Sequence, residues 1–196
     1  MIIGFKIRLI PNKEQEQLLW NHINGSRFIW NYCLAYELNN YRNNKTHINW
    51  HELRHMIIDL KNNNEDYCWL NDISVHTISF ICSDLDKAYK NFFNKKSNMP
   101  KFKKKNKCKK IFPIRSANLY FKNNCANIEK IGKVKFQTNY NLPEGKLCKF
   151  YNARICFENG KWILSFGMEC KNQTHERNAF SIGIDLGSKE LAVISY

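Results

Sequence analysis

The spacing of apolar residues divides the chain into a first strand, a helical region and a second region of strands. Residues 2–10 alternate between apolar and polar, with Phe5, Ile7 and Leu9 on one face, which is typical of a half-buried strand. Apolar positions then recur three or four residues apart as far as residue 94, which predicts helices. Beyond residue 110 the period falls to two, which indicates strands again. The pattern therefore predicts an α+β fold.

The first half of the helical region, residues 12–41, is predicted to form two helices. Asn12 and Gln15 have the spacing of a capping box, in which each side chain binds the backbone N–H of the other residue. Gly25 is a residue type that often ends a helix. We therefore expect a first helix to end at Gly25 and a second to run from Ser26 to about residue 41.

Two further helices complete the predicted helical region. Asn49 and Glu52 repeat the capping spacing in front of apolar residues at helical intervals. From Ser74 to about Phe93 the apolar residues keep the helical period for about five turns. The sequence therefore predicts a four-helix module over residues 12–94, and we assign its aromatic residues to the core rather than to a ligand-binding surface.

A run of lysines separates the helices from the later strands. Residues 87–110 contain eleven lysines and no Asp or Glu, and residues 95–110 are named here the basic connector. Lysines at this density neutralise phosphates and bind nucleic acid without sequence preference, and nearby rings or guanidinium groups can stack on bases. A solvated, flexible linker is the alternative. The predicted contact residues of this region are Lys101, Lys103, Lys104, Lys105, Lys107, Arg115 and Tyr120.

Short alternating segments after the connector predict a small antiparallel sheet or barrel. They lie near residues 111–122, 127–138 and 147–158 and are separated by Asn, Gly and Pro residues. The pair Asn159 and Gly160 stands between two strongly alternating segments. Asn-Gly is the preferred sequence of a two-residue hairpin turn, so a β-hairpin is predicted there.

A predicted strand near the end of the chain carries an isolated carboxylate. Residues 180–186 have the pattern of a buried strand that ends around Asp185, and residues 191–196 begin another strand. Clustered carboxylates hold the divalent ions of phosphodiester cleavage, but one carboxylate does not suffice. Turn chemistry is one alternative explanation of Asp185. The string IGIDLGS also resembles the first phosphate loop of sugar-kinase and chaperone ATPases.

Charge and composition narrow the classes of protein further. Lys and Arg number 31 against 17 Asp and Glu, and the formal charge of +14 favours a polyanionic partner over a merely soluble basic protein. No signal peptide opens the chain and no apolar run approaches the roughly 20 residues of a membrane span, so we expect a cytosolic protein without a membrane partner. The eight cysteines form no CxxC pair, and neither a zinc site nor a disulfide framework is predicted.

Four segments, in this order, resemble the OrfB/TnpB family of insertion-sequence proteins, which is similar to the type V CRISPR nucleases. They are GFKIRLIPNKEQEQLLWNHINGSRFIWNYCLA, LDKAYKNFF, MPKFKKK and FSIGIDLGSKELAVIS, and together they extend over nearly the whole chain. Their order and spacing make a chance match improbable. The chain is identified as resembling the N-terminal portion of this family of RNA-guided DNA endonucleases, which implies a bacterial, nucleoid-associated protein of the cytoplasm.

The resemblance also implies how the chain is organised. Residues 1–11 would provide the first strand of an RNA-binding wedge barrel that continues over 111–178. Residues 12–94 would form an inserted helical recognition domain, known in the family as helix-turn-helix, followed by the connector at 95–110. Residues 179–196 would begin a RuvC-like nuclease of RNase H fold, truncated here. In full-length members a noncoding guide RNA pairs with target double-stranded DNA.

Several residues match positions to which the family assigns nucleic-acid contacts. Arg27 and Asn31 match the family's RFxxN segment, where RNA contact and helix packing both stay open. The helix that starts at Ser74 is similar to one that approaches a short DNA motif beside the target, often through Gln; a solvated helix face is the alternative. The residues assigned to nucleic-acid binding outside the connector region are Arg8, Arg27, Asn31, His76, Thr77 and Ser79, the last three as exposed positions of their helix.

Asp185 matches the family's first metal-binding carboxylate, which serves Mg²⁺ in full-length members. The later family carboxylates and the CxxC pairs of its zinc finger have no counterpart up to Tyr196. We therefore expect this chain alone to hold no metal tightly and to be unable to cleave DNA. The leading hypothesis is an RNA- and DNA-binding portion of a guide-directed nuclease. A nuclease-dead binding module or repressor-like remnant, and a nucleotide-binding ATPase fragment, are the alternatives.

Overall fold

The computed structural model describes residues 1–145 and 148–170, together with the backbone of residues 183–185 and 193–195. In these residues three α-helices and a 3₁₀ helix lie between the first strand and the remaining strands, and the predicted α+β class is confirmed. These four helices are α1 (Lys13–Asn44), α2 (Trp50–Asn63), the 3₁₀ helix (Glu65–Asp72) and α3 (Val75–Phe93), and a further three-residue 3₁₀ turn (Ser116–Asn118) lies among the strands. The strands are β1 (Ile2–Ile10), β2 (Ile111–Pro113), β3 (Tyr120–Lys122), β4 (Cys125–Ile128), β5 (Gly132–Gln137), β6 (Phe150–Glu158), β7 (Lys161–Glu169), β8 (Gly183–Asp185) and β9 (Val193–Ser195).

The first strand lies in the middle of a sheet whose other members all follow the helices. Seven antiparallel strands are ordered β2-β6-β7-β1-β5-β4-β3, so that β1 pairs with β7 on one side and with β5 on the other. The sheet is strongly curled. This is shown by the ring of Phe121 on the edge strand β3, which lies 5.3 Å from the ring of Phe150 on the distant strand β6. The helices are therefore inserted between two parts of one curved sheet.

Alternation places the apolar residues of the sheet on its inner face, as predicted. Ile7 and Leu9 of β1 are buried, while Lys6 and Arg8, which alternate with them, are exposed. On β7 the buried residues are again every second one, beginning at Trp162. The predicted hairpin is confirmed: Asn159 and Gly160, both with positive φ (49° and 73°), join β6 to β7. Positive φ at both turn positions is what an Asn-Gly pair tolerates and most residues do not.

The prediction that Gly25 ends a helix is wrong, because α1 continues without interruption for 32 residues. Both capping patterns are confirmed at the starts of α1 and α2, where Asn12 and Asn49 accept backbone hydrogen bonds. Gly25 is buried instead, and a Cβ atom there would come within 2.7 Å of Ile73 Cδ1. The glycine therefore permits a close approach between α1 and the residue that follows the 3₁₀ helix. The module accordingly has three α-helices and one 3₁₀ helix rather than four α-helices.

The long helix α1 contributes to two separate cores. Leu19 and Ile23, near its start, pack against the inner face of the sheet. Farther along, Ile29, Cys33 and Leu34 pack with α2 and α3 in a second cluster. Since one rigid helix takes part in both clusters, α1 connects the sheet to the helices and fixes what lies along its exposed side.

The short strands β8 and β9 pair with each other and not with the seven-stranded sheet. Their register places Asp185 opposite Val193. The remaining residues of the two predicted strands near the end of the chain lie outside the described residues. The division into a wedge barrel and the start of a RuvC-like domain stays a prediction.

Candidate nucleic-acid interface

Side chains of α1 hold the basic connector by hydrogen bonds to its backbone. The indole Nε1 of Trp30 donates to the carbonyl oxygen of Lys101 at 3.1 Å. The amide of Asn31 donates to the carbonyl oxygen of Lys103 at 3.0 Å and accepts from the N–H of the same residue at 2.8 Å. The connector is therefore ordered along the helix here and does not behave as the flexible linker of the alternative explanation. Asn31 has a packing role, since both polar atoms of its amide are engaged.

Lys103 strengthens this docking with its side chain. Its Nζ lies 3.7 Å from the centre of the Trp30 ring, at the distance of a cation–π contact. Burial lowers the pKa of Lys103, although the nearby carboxylate of Asp84 acts in the opposite direction. The exposed lysines of the connector are Lys95, Lys96, Lys101, Lys104, Lys105, Lys107, Lys109 and Lys110.

A cleft of about 350 Å³, named here the connector cleft, lies between α1 and the connector. Trp20, Ile23 and Ile111 provide apolar surface, and Asn24 and Asn106 provide amides. The other lining residues are Ser26, Arg27, Lys103, Lys105, Cys108, Lys109 and Lys110. None of these described lining residues is acidic, so the cleft carries five basic side chains that no carboxylate in its wall neutralises. Such a concentration of cations favours phosphate groups.

Of the three residues predicted as exposed on α3, Thr77 does not fit the prediction. Its side chain is buried, and its hydroxyl donates to the carbonyl oxygen of Pro113 on β2 at 2.9 Å. His76 is half-buried and accepts a hydrogen bond from Arg115 at 2.8 Å. Ser79 is half-buried as well, and its Oγ accepts from Arg54 Nε at 2.9 Å. Thr77 therefore attaches α3 to the sheet.

Beside α3 the structure forms a groove of about 390 Å³ that joins helix and sheet. Arg115 and the exposed ring of Phe80 line it, together with Tyr151 and Asn152 at an irregularity of β6. Arg154 also lines the groove and is held by Asp84 of α3 at 3.0 Å. Of these residues, only Arg115 was predicted from the sequence as a contact residue. The apolar ring of Phe80 stands among polar residues on its face of α3. This irregularity in the sequence could have identified Phe80.

Arg8 belongs to a row of cations on the outer face of the sheet. It lies opposite Gln137, while Lys135 pairs with Ile10 on β1 and with Cys125 on β4. Residues directly opposite each other share a face, so the row crosses four strands. Its exposed cations are Lys6, Arg8, Lys122, Lys133 and Lys135, and half-buried Tyr120 lies on the same face. The four lysines were not predicted from the sequence as contact residues, although Lys133 and Lys135 alternate around buried Val134.

Two comparisons with known proteins agree with this arrangement. Residues 1–46 match the family model of the helix-turn-helix domain of OrfB proteins of the IS605 type. The chain is also 27% identical over 193 residues to the Escherichia coli (strain K12) protein named "Putative RNA-guided DNA endonuclease InsQ". The chain is similar to proteins of the TnpB/OrfB family. The predicted resemblance is thereby confirmed.

The match to InsQ covers 98% of this chain but 47% of InsQ, so the chain spans about half the length of the curated protein that it matches. The matched domain, residues 1–46, contains β1 and α1 and no second helix, because α1 continues through Gly25. The two helices named by the domain description are therefore not both formed inside the matched residues of this chain.

The described part of this chain shows neither a cluster of metal-ligating side chains nor a membrane-spanning helix. Its side chains include no group of three or more His, Cys, Asp or Glu arranged to hold a metal ion. The backbone of Asp185 ends β8, and its side chain lies outside the described residues. None of the described helices combines the length and the apolar character that crossing a membrane requires.

Proposed function

We propose that this chain is the nucleic-acid-binding, N-terminal part of a transposon-encoded RNA-guided DNA endonuclease, and that it binds a guide RNA and target double-stranded DNA. The observation that carries the proposal is the docked connector, which holds a line of lysines along α1 beside a cleft without acidic residues. Similarity to a protein named as an RNA-guided DNA endonuclease supports it.

The three surfaces suit this function because each of them carries cations that bind phosphates whatever the sequence. The connector cleft and the outer sheet face each present five Lys and Arg side chains, and Arg115 and Arg154 line the α3 groove. A protein that leaves sequence recognition to base pairing between guide and target needs such surfaces. We assign the guide RNA to the connector and the outer sheet face, and DNA to the groove beside α3.

Asp185 is proposed as the first carboxylate of a Mg²⁺-dependent nuclease site. Two-metal cleavage requires several carboxylates around the ions, and Asp185 supplies one. We therefore expect this portion to bind nucleic acid and cleavage to depend on further ligands. Incubation with Mg²⁺, guide RNA and target DNA should give no cutting, whereas cutting that is lost in Asp185→Ala would show that the chain is a nuclease by itself.

The binding function is tested by the salt dependence of RNA affinity. Lys104 and Lys105 are exposed on the connector, and replacing both with Gln should reduce the slope of log K against log salt by about 1.4, since each lost phosphate contact to a single strand contributes about 0.7. The measurement is fluorescence anisotropy with a labelled single-stranded RNA at several salt concentrations.

A matched control changes the net charge equally at another place. Lys13 and Lys45 are exposed at the two ends of α1, away from the middle of the helix where the connector docks. Lys13→Gln with Lys45→Gln should leave the slope nearly unchanged. If both pairs of substitutions reduce the slope equally, affinity depends on net charge alone and the proposed interface is wrong.

A further inference from the structure

We propose that the connector cleft is a pocket for one unpaired nucleotide, whose base enters the cleft while its phosphates stay with the basic residues at the rim. The proposal deepens the proposed nucleic-acid binding and rests on it. It assigns to one site a specific ligand class, a single-stranded nucleotide with its base turned out of the stack, rather than a general affinity for polyanions.

The size and the wall of the cleft fit a base better than a phosphate backbone. Its volume of about 350 Å³ lies at the lower end of the roughly 300–1,000 Å³ typical of small-ligand pockets, and is too small for a duplex. The aromatic and aliphatic side chains of Trp20, Ile23 and Ile111 line part of it. A purely electrostatic contact with phosphates needs no apolar wall. Burial of a nucleobase against apolar side chains is favourable, because it removes the face of the base from water.

Polar groups without partners lie in the same wall. Ser26 is buried, and its Oγ has no hydrogen-bond partner among the described residues. Asn24 and Asn106 line the cleft from opposite sides, one on α1 and one on the connector. Each amide offers both donors and an acceptor, the combination that the edges of bases require. A buried hydroxyl without a partner costs free energy, and a bound ligand atom would relieve that cost.

The basic residues are placed to hold the phosphates on either side of that base. Arg27 comes from α1, and Lys105, Lys109 and Lys110 come from the connector. The Nζ of Lys110 also lies 5.3 Å from the centre of the Trp20 ring, so that one cation is kept beside the apolar wall. Phosphates on both sides of one nucleotide would therefore meet cations from both walls of the cleft.

The test compares oligouridylate with an abasic phosphodiester strand of the same length and charge. Stacking of one base is worth about 1–3 kcal/mol, which corresponds to a preference of about fivefold to 150-fold for the strand with bases. Asn24→Ala with Asn106→Ala should lower this preference at least about threefold and leave the affinity for the abasic strand unchanged. Asn39→Ala with Asn91→Ala, at exposed positions elsewhere on α1 and α3, is the matched control.

A second measurement does not depend on any variant. Oligouridylate that carries photoreactive 4-thiouridine should crosslink to peptides containing Trp20 or Cys108, both of which line the cleft, and not to those containing exposed Trp69. The inference is overturned if wild type binds both strands equally, or if the crosslinks map elsewhere while RNA is bound. Failure of both strands to bind would instead overturn the proposed nucleic-acid function itself.

Discussion

Replacing His47 with Gln should destabilise the helical region strongly, because this imidazole lies between two buried carboxylates. Its Nδ1 is 2.6 Å from Glu37 Oε1 of α1, and its Nε2 is 2.8 Å from Asp86 Oδ1 of α3. The side chains of Glu37 and Asp86 are 1% and 4% exposed. Glu37 also accepts from the N–H of Ile48, and Asp86 from Lys90 Nζ at 2.7 Å. With an acceptor at each ring nitrogen, His47 donates from both and carries a positive charge.

The size of the effect follows from the burial of the carboxylates. Removing one partner of a buried ion pair costs about 3–5 kcal/mol, because the remaining charge stays buried without compensation. The side chain of His47 is 22% exposed, so water screens it in part, and we expect a loss near the lower limit, about 3 kcal/mol. Gln can donate to one carboxylate only. The double variant His47→Gln with Glu37→Gln should recover part of the loss, since one buried charge is then removed.

The pH dependence of the free energy of unfolding has a defined sign. Burial lowers the pKa of His47, but the hydrogen bonds to Asp86 and Glu37 outweigh burial and raise the pKa above its ordinary value. A raised pKa means that this contribution is complete below the unfolded value of about 6.5 and is lost as the pH rises through the folded value. Burial raises the pKa of Asp86, but Lys90 and His47 outweigh it and lower the pKa, so its contribution is lost as the pH falls into the acidic range.

Urea unfolding followed by circular dichroism at about pH 6 and about pH 9 measures the contribution of His47 and its loss as the pH rises. The free energy of unfolding of wild type should fall as the pH rises from about 6 to about 9, and that of His47→Gln should fall by less. His55→Gln, on the exposed side of α2, is the matched control and should resemble wild type. If His47→Gln kept the wild-type stability at about pH 6, or kept the full loss at about pH 9, the imidazolium between the two carboxylates would be refuted.

Three further substitutions test the packing around the proposed interface. Gly25→Ala should lower the free energy of unfolding in urea by up to about 2 kcal/mol, since overpacking against Ile73 (about 1–3 kcal/mol) exceeds the gain in helix propensity (about 1 kcal/mol). In an Ile73→Ala background the same substitution should stabilise the protein. Stabilisation in both backgrounds would contradict the close approach. Asn31→Ala removes two hydrogen bonds of about 1 kcal/mol each and should speed tryptic cleavage within the connector; an unchanged cleavage rate would mean that the connector is not held there. Thr77→Val should cost about 1–2 kcal/mol of stability and leave DNA affinity unchanged, whereas weaker DNA binding at full stability would return Thr77 to the interface.

The sequence alone was sufficient for features that depend on neighbouring residues. The caps at Asn12 and Asn49 and the turn at Asn159 and Gly160 were all predicted and are all present. In each of them the interacting groups are at most a few residues apart, so backbone preferences and short hydrogen bonds decide the conformation. The alternation in β1 likewise identified its buried face, because the period of a strand is a local property.

Features that depend on distant contacts could not be predicted. Glycine is a residue type that often ends a helix, but Gly25 packs against Ile73, far along the chain, and α1 continues. Thr77 occupies a polar position of its helix, yet the carbonyl of Pro113 accepts from it after the sheet has formed. Both errors have one cause. A small or polar residue is compatible with several local conformations and contacts, and its tertiary partner decides which of them forms.

For the proposed interface, the sequence alone determined that the chain is basic, because charge is a sum over residues, and that eleven lysines lie within residues 87–110. Only the tertiary structure decided which of them act together. Asn31 and Lys103 are 72 positions apart, and their hydrogen bonds create the connector cleft. The lysines of β1, β3 and β5 share one face only because antiparallel pairing brings them into register. Pairing partners and docked segments are set by the packing of the two cores, which no local pattern encodes.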